Sequence, residues 1–267
     1  MDKQYFFTAM EKICPGELAE EWDNCGIQVN TQGNEVKKIL TALEITDAVI
    51  DEAISESVDM IITHHPMTRQ GLKSIDSREF TGRYITRCIE HGISVYACHT
   101  SFDKMDGGNN DYLGKLLKLQ NVGFFENCNP FCRRGFLKEE MSIEVLVRYA
   151  AEVFGVDSKY FKYVGEPNIK VKKLGWCTGG GAGFIDDAAK EGCDLYITGD
   201  VKYHDAQAAR AINIPVLDAG HYGTEKIFAP NMCRILKDYF EKENFGSDSI
   251  GEYDIVASSI DINPYLW

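Results

Sequence analysis

This sequence predicts an α/β protein made of two similar domains related by internal duplication. Three observations carry that expectation. Apolar strand-like runs alternate with amphipathic segments along the 267 residues, the order of a largely parallel sheet covered by helices. A helix-then-strand block recurs at constant spacing. Polar residues follow several of the strands, and open α/β sheets place their ligands beyond the C-terminal ends of strands.

The elements follow in order. Met1 to Ile13 has Tyr5, Phe6, Met10 and Ile13 near one face and reads as a helix that Pro15-Gly16 ends. Leu18 to Val29 is a turn rich in acidic and aromatic groups that leads into a short strand. Lys38 to Leu43 is a strand, and Thr46 or Asp47 caps a helix running to about Ser57. Met60-Ile61-Ile62-Thr63 is a buried strand that ends in His64-His65-Pro66. A helix from Tyr84 to His91 precedes the strand Ile93 to Cys98, which ends in His99-Thr100-Ser101-Phe102-Asp103, and Gly107-Gly108 opens another helix. Glu140 to Phe154 is helical, Lys170 to Cys177 is a strand, Asn231 to Lys242 is helical, and Tyr253 to Ala257 is a last strand.

The repeat shows when the halves are aligned. Ile50, Asp51, Ala53, Glu56, Asp59, Ile62 and Thr63 each recur 135 positions later, at Ile185, Asp186, Ala188, Glu191, Asp194, Ile197 and Thr198. The next strand, Ile93-Ser94-Val95, is answered by Ile214-Pro215-Val216, and again polar residues follow, in Asp218-Ala219-Gly220-His221. This points to a duplicated domain. The expected boundaries are 1–127 and 128–267, with a joint at Asn127-Cys128-Asn129-Pro130 and a C-terminal segment free to pack back on the first domain.

Composition narrows the function. Hydrophobic residues at 44% and charged at 26% describe a globular chain. No run is long enough to span a membrane and no secretory signal is visible, so a cytoplasmic protein is expected. A formal net charge of −13, spread along the chain, argues against nucleic acid as a partner. The nine cysteines are dispersed without CxxC and read as reduced, buried residues. Cys128 and Cys132, four apart, lack a second donor pair nearby in sequence.

An isolated histidine pair such as His64-His65 also suits a solvated turn, but His221 and Glu225 change the balance. They are four apart, so a helix starting there puts both on one face. With His64, His65 and Asp103 they bring five donors to a shared groove. That is more than one catalytic zinc takes, and it suits two ions with open positions for water or substrate. His99 is ambiguous between a ligand and a hydrogen-bonding partner of one, with the second role preferred. His204 is either a proton donor near the metals or a cap at a helix start. His91 is the polar end of a helix. Gly179 to Gly183 stands where amides can hold an anion, yet matches neither a Walker A nor a dinucleotide motif. Trp22 and Asp23 either line a pocket or fix a turn. No nucleophile elbow or triad pattern is present, which leaves a metal-activated water as the source of reactivity.

Several short motifs in one order make the chain resemble the NIF-three-like (DUF thirty-four) family, whose members carry the label GTP cyclohydrolase I type 2 homologue. They are Glu21-Trp22-Asp23-Asn24 with Gly26, Ile62 to Pro66, His99-Thr100 with Asp103, Gly107-Gly108 with Asn110-Asp111, Thr198-Gly199-Asp200 with Tyr203-His204, Gly220-His221-Tyr222 with Thr224-Glu225, and Asp261 to Pro264. The resemblance implies a dinuclear metal centre in the groove between two α/β domains, with His64, His65, Asp103, His221 and Glu225 as ligands to two divalent ions (Zn, Fe, Mn or Ni). It also implies a toroidal homohexamer and a metal-dependent hydrolase of a small nucleotide-like or phosphorylated substrate. His204 and His99 are then the candidate proton carriers. The competing class is a metal-storage, metal-delivery or regulatory scaffold. The passage from Tyr163 to Val171 is too short for the extra domain that some members insert. Glu44 stands where the family usually has Asp.

Overall fold

Three buried strands in each half set the frame on which everything else hangs. The computed structural model describes residues 1–126, 130–244 and 252–265. It divides into a first unit, Met1–Met105 with the chain from Phe228 onward, and a second unit, Asp106–Ile227. The expected boundary at 127/128 lies inside the second unit, and Asn127, Cys128 and Asn129 of the expected joint lie outside the described residues.

In the first unit the chain forms α1 (Lys3–Ile13), β1 (Gly26–Val29), β2 (Lys38–Ala42), α2 (Asp47–Ser55), β3 (Met60–Thr63), α3 (Phe80–Glu90), β4 (Ser94–Ala97) and the short α4 (Thr100–Lys104). Asp2 caps α1 and Thr46 caps α2, each side chain accepting from a backbone N–H in the first turn. The second unit contains α5 (Asn109–Leu116), β5 (Gln120–Phe124), β6 (Arg133–Ser142), α6 (Ile143–Phe154), β7 (Lys162–Val164), β8 (Lys170–Trp176), α7 (Ile185–Lys190), β9 (Leu195–Thr198), α8 (Tyr203–Ala211), β10 (Val216–Asp218) and α9 (His221–Glu225). The chain then returns to the first unit as α10 (Phe228–Asn244) and β11 (Asp254–Ala257).

The first sheet has the order β1-β4-β3-β2-β11 and the second β5-β6-β8-β9-β10-β7. In the first, β11, β2, β3 and β4 run parallel and β1 is antiparallel to β4. In the second, β8, β9 and β10 are parallel, while β6, β5 and β7 are antiparallel additions. The expected largely parallel sheet is therefore found at the centre of each unit and not at its margins. The burial explains the split. Every residue of β3, β4 and β9 is buried, as parallel strands require, whereas β5 is mostly exposed and antiparallel pairing tolerates water on one face. The helix read from Glu140 begins at Ile143, because Ser142 caps it by accepting from the Val145 N–H, and the residues before it finish β6.

The duplication extends into details the sequence does not display. Asp59 Oδ2 accepts from the amides of Lys37 and Lys38 at 2.7 and 2.9 Å, and Asp194 Oδ2 accepts from those of Lys172 and Lys173 at 2.9 and 2.8 Å. Lys38 pairs with Glu56 at 2.7 Å and Lys173 with Glu191 at 3.1 Å. The β2–β3 register sets Ile39 opposite Met60, and β8–β9 sets Leu174 opposite Leu195. All of these pairs are related by the same 135 positions. Beyond the third strand the spacing becomes 121, and there α4 and α9 have matching bounds.

The first core gathers Val29, Leu40, Ile50, Ile61 and Val95, with Ile260 and Ile262 packed against it from the C-terminal segment. The second unit buries Trp176, Leu174, Ile197 and Phe154. No described cysteine is in a disulfide, and of the eight described all but Cys25 are buried. Among the described residues no helix is long and apolar enough to cross a membrane.

Candidate metal centre

In the first unit the donors stand at the ends of β3 and β4. The amides of His64 and His65 both donate to Leu43 O, at 3.1 and 2.9 Å, and Thr63 Oγ1 donates to His65 O at 2.8 Å. A tight turn thus replaces the strand ladder, and the two imidazoles leave the sheet edge together. Ring centroids lie 5.2 Å apart for His64 and His65, 5.1 Å for His64 and His99, and 5.6 Å for His65 and His99. One nitrogen of each of these three rings lies within 4.8 Å of the other two. Asp103, on α4, brings Oδ1 to 3.5 Å from His64 Nε2. Behind His64, the rings of Phe102 and Phe228 pack at 6.5 and 5.1 Å and fix its plane.

The orientation of the rings follows from their other nitrogens. His64 Nδ1 is 2.8 Å from Cys98 O. A carbonyl only accepts, so Nδ1 carries the hydrogen and Nε2 offers its lone pair. His99 Nδ1 is 2.9 Å from Asp23 Oδ1. Burial raises the Asp23 carboxyl, but hydrogen bonds from His99, Thr100 and Cys25 overcome it and hold the group well below the usual carboxylate range. Asp23 is thus ionised and accepts, and His99 too presents Nε2. His65 Nδ1 lies 3.5 Å from Glu44 Oε2, so the residue that departs from the family pattern stands beside a predicted ligand.

The second unit repeats this arrangement with different residues. His221 and Glu225 begin and end α9, and His221 Nε2 is 2.8 Å from Glu225 Oε2, as their spacing predicts. His221 Nδ1 is 2.7 Å from Asp200 Oδ2. The Glu225 hydrogen bond first, opposed by burial and aided by Asp200, raises the His221 imidazole to about 9. Asp200 is a non-glycine residue at φ 57°, in the left-handed region that Asp tolerates better than most residues.

Each predicted residue has its place. His64, His65 and Asp103 come together in the first unit, with His99 among them, and His221 and Glu225 come together in the second. His204 is exposed at the start of α8, its ring edge-on to Tyr203 at 5.3 Å. His91 is the C-cap of α3. The glycine loop spends its amides internally: Gly179 N donates to Thr224 Oγ1 and Gly181 N to Thr198 Oγ1, both at 2.9 Å. A Cβ on Gly179 would overlap Glu225 Oε1, so the glycine there serves close packing against a donor rather than a phosphate. Asp23 fixes a turn and a histidine, while Trp22 beside it is 63% exposed and meets the His99 ring edge-on at 6.2 Å.

Sequence reasoning named Asp200 and Glu44 only within the family's pattern and left Asp23 between two roles, so the part each plays beside a histidine went unread. The repeat itself carried the signal for Asp200, which lies 135 positions after His65. Asp23 and His99 are 76 residues apart, and no local pattern links them.

By donor chemistry and geometry these groups could hold a metal ion. Imidazole nitrogens with a carboxylate oxygen are its usual ligands, and an oriented Nδ1–H on each ring is the customary outer support.

The sequence model of the Duf34/NIF3 (NGG1p interacting factor 3) family matches residues 1–251. A relative from Clostridium acetobutylicum named GTP cyclohydrolase 1 type 2 homolog is 31% identical over 262 residues, 96% of this chain and 95% of that one. A Bacillus subtilis relative of the same name is 25% identical over 374 aligned positions, covering 99% of this chain and 98% of that one. That alignment is much longer than the present 267 residues, in keeping with a compact form here. Among solved structures, a Staphylococcus aureus hypothetical protein, SA1388, superposes with a TM-score of 0.92 at 25% identity, covering 100% of this chain and 99% of that one. A Bacillus cereus protein related to NIF3 superposes with a TM-score of 0.90 at 22% identity, over 100% of this chain and 99% of that one.

Proposed function

Since this chain belongs to the Duf34/NIF3 family, we propose that its two donor groups serve one dinuclear metal centre in a hydrolase of a small nucleotide-like or phosphorylated substrate. The observation that carries this reading is the orientation of His64 and His221, whose Nδ1 atoms face fixed oxygens while their Nε2 atoms face a carboxylate. His64, His65 and Asp103 from the first unit and His221 and Glu225 from the second are the ligands of the pair. Two ions bound there lower the pKa of a water and stabilise negative charge developing on the attacked group.

The chain's own residues supply the rest. Phe102 and Phe228 keep water from the back of His64. Asp200 holds His221 in the tautomer that ligates. His204, exposed four residues after Asp200, is the proton carrier, and His99, so near His64 and His65, is better placed among the donors. The relatives' name supports the GTP cyclohydrolase I type 2-like version of the reaction, ring opening of a purine nucleotide. A toroidal homohexamer in the cytoplasm belongs to the same reading.

The test is elemental analysis of protein purified without chelator, followed by a screen of the metal-loaded protein against nucleotides and phosphodiesters. Two ions per chain and turnover that His64→Ala abolishes without loss of assembly are expected, with His204→Ala slowing turnover while metal is retained. Readily exchanged metal and no turnover would favour the scaffold that stores, delivers or senses metal. Sedimentation at the mass of six chains is the expected assembly state.

A further inference from the structure

We propose that the second unit carries a small-molecule site of its own, a cavity between β7 and α8 suited to a zwitterionic amino acid with an apolar side chain. Arg210 takes the carboxylate and Glu166 the ammonium group, while the side chain lies on an apolar floor. The site shares no residue with the donor groups at the strand ends, so it stands whether or not those bind metal.

The cavity follows from the way α8 is packed. Of the nine residues of this helix only Ala209 is buried. Tyr203, Ala206, Gln207 and Arg210 stand at i, i+3, i+4 and i+7, on one face. All four line a cavity of about 430 Å³ whose other wall is β7 and the turn that follows it. That volume is ordinary for a small-molecule site. Val164, Ala209 and Ile214 belong to a core cluster of this unit and give the cavity its apolar floor.

The walls are fixed in advance. After β7, Ile169 N donates to Glu166 O at 3.1 Å, and the amides of Ile143 and Glu144 donate to Ile169 O and Pro167 O at 3.0 and 3.1 Å, which ties the turn to the start of α6. Gly165 has φ 122°, and a Cβ there would stand 3.2 Å from both Ile143 Cδ1 and Pro215 Cβ, so the backbone itself closes that corner. On the far side Ile214 N donates to Ala209 O at 3.1 Å and Tyr196 N to Pro215 O at 2.9 Å. Gln207 Nε2 donates to Tyr203 OH at 3.2 Å and steadies a ring that is 71% exposed at the rim.

The charges select the ligand. On their own helices Arg148 and Arg234 each pair with a carboxylate four residues away. The residues four before and four after Arg210 are Ala206 and Ile214, both part of the cavity wall. Neither Arg210 nor Glu166 has an ion-pair partner among the described residues. Two opposite charges that border one cavity without meeting suit a ligand that carries both. A guanidinium holds a carboxylate through two parallel N–H bonds. A phosphate dianion would find one cation and a like charge in Glu166.

Titration calorimetry of chelator-treated protein tests this, metal being removed because an amino acid would ligate a bound ion. Phenylalanine and leucine are expected to bind at one site per chain. Phenylacetate, without the ammonium group, and phenethylamine, without the carboxylate, should bind about 10-fold more weakly, the usual effect of losing one charge-assisted hydrogen bond. Arg210→Met should weaken phenylalanine by about the same factor and leave phenethylamine unchanged, and Glu166→Gln should weaken phenylalanine and leave phenylacetate unchanged. Ala206→Phe fills the cavity and should abolish binding of all three. Arg210 and Glu166 are exposed, so their variants fold, and circular dichroism checks Ala206→Phe. No binding of either amino acid at about 10 mM overturns the proposal, as does an affinity that Arg210→Met leaves unchanged. Inorganic phosphate binding as tightly as phenylalanine overturns it in favour of a plain anion site. A tripeptide ending in phenylalanine that binds more tightly overturns it in favour of a peptide strand added along β7.

Discussion

The two repeats share a skeleton and differ where chemistry is placed on it. In both, an aspartate after the helix clamps two consecutive amides, Lys37 and Lys38 or Lys172 and Lys173, and a threonine closes the middle strand. At the next position the first repeat has His64 and the second Gly199; one further on, His65 in the first repeat corresponds to Asp200 in the second. In the short helix after the third strand, donors occupy the fourth position in one repeat, Asp103, and the first and last in the other, His221 and Glu225. The connection from β3 to α3 is also far longer than the one from β9 to α8. The skeleton constrains which strand ends can carry a ligand, and the residue at each end remains open to change. Nitrogen donors dominate the first set, whereas the second has one imidazole and one carboxylate.

The sharpest way to break this comparison is at Gly199. A Cβ there would stand 2.5 Å from His221 N, whereas the equivalent position in the first repeat carries an imidazole. Gly199→Ala should cost about 3 kcal/mol in urea unfolding, at the upper end of overpacking effects. A near-neutral result would mean the strand end and α9 are more loosely joined than the structure shows.

The threonines come next. Thr198→Val removes two bonds, one accepted from the Gly181 amide, which keeps Gly179 O as a second acceptor, and one donated to Gly179 O, while Thr63→Val removes one bond donated to His65 O. Costs of about 2 and about 1 kcal/mol are expected, since each lost intramolecular hydrogen bond contributes about 1 kcal/mol. Equal costs would erase the distinction. Asp59→Asn and Asp194→Asn sharpen the shared part, and each should lose about 1 kcal/mol because each carboxylate serves two amides. A large inequality would show that one clamp matters and its copy does not.

The smallest effect is a pH dependence confined to the second unit. Without metal, His221 is raised to about 9 by Glu225 and Asp200. A folded pKa above the unfolded one, about 6.5, gives stability that is full below that value and lost as pH rises through about 9. Denaturation midpoints of chelator-treated protein should fall over that window, and His221→Gln should flatten the decline.

How far the sequence could be read follows the same division. The strands around His64 and around Thr198 announce themselves as short apolar runs, and the 135-residue spacing exposes their kinship. The α9 pair was legible because a four-residue spacing has one meaning on a helix. The strands β5 and β6 were not, because β5 is mostly exposed and the second half of β6 carries Lys138, Glu139 and Glu140, a pattern that resembles a loop followed by a helix start. The parts played by Asp23 and Glu44 stayed hidden because a contact with a histidine distant in sequence leaves no periodic trace, whereas the place of Asp200 follows from the repeat.

The first unit is interrupted in sequence, and that affects how the protein is made. As the chain leaves the ribosome, residues 106–227 are complete while the earlier unit still awaits α10 and β11. Folding of whole units then runs against the usual N-terminal-first order. Phe228, which steadies the ring of His64, is among the late arrivals. Newborn chains therefore finish the half that carries His221 and Glu225 before the half that carries His64 and His65.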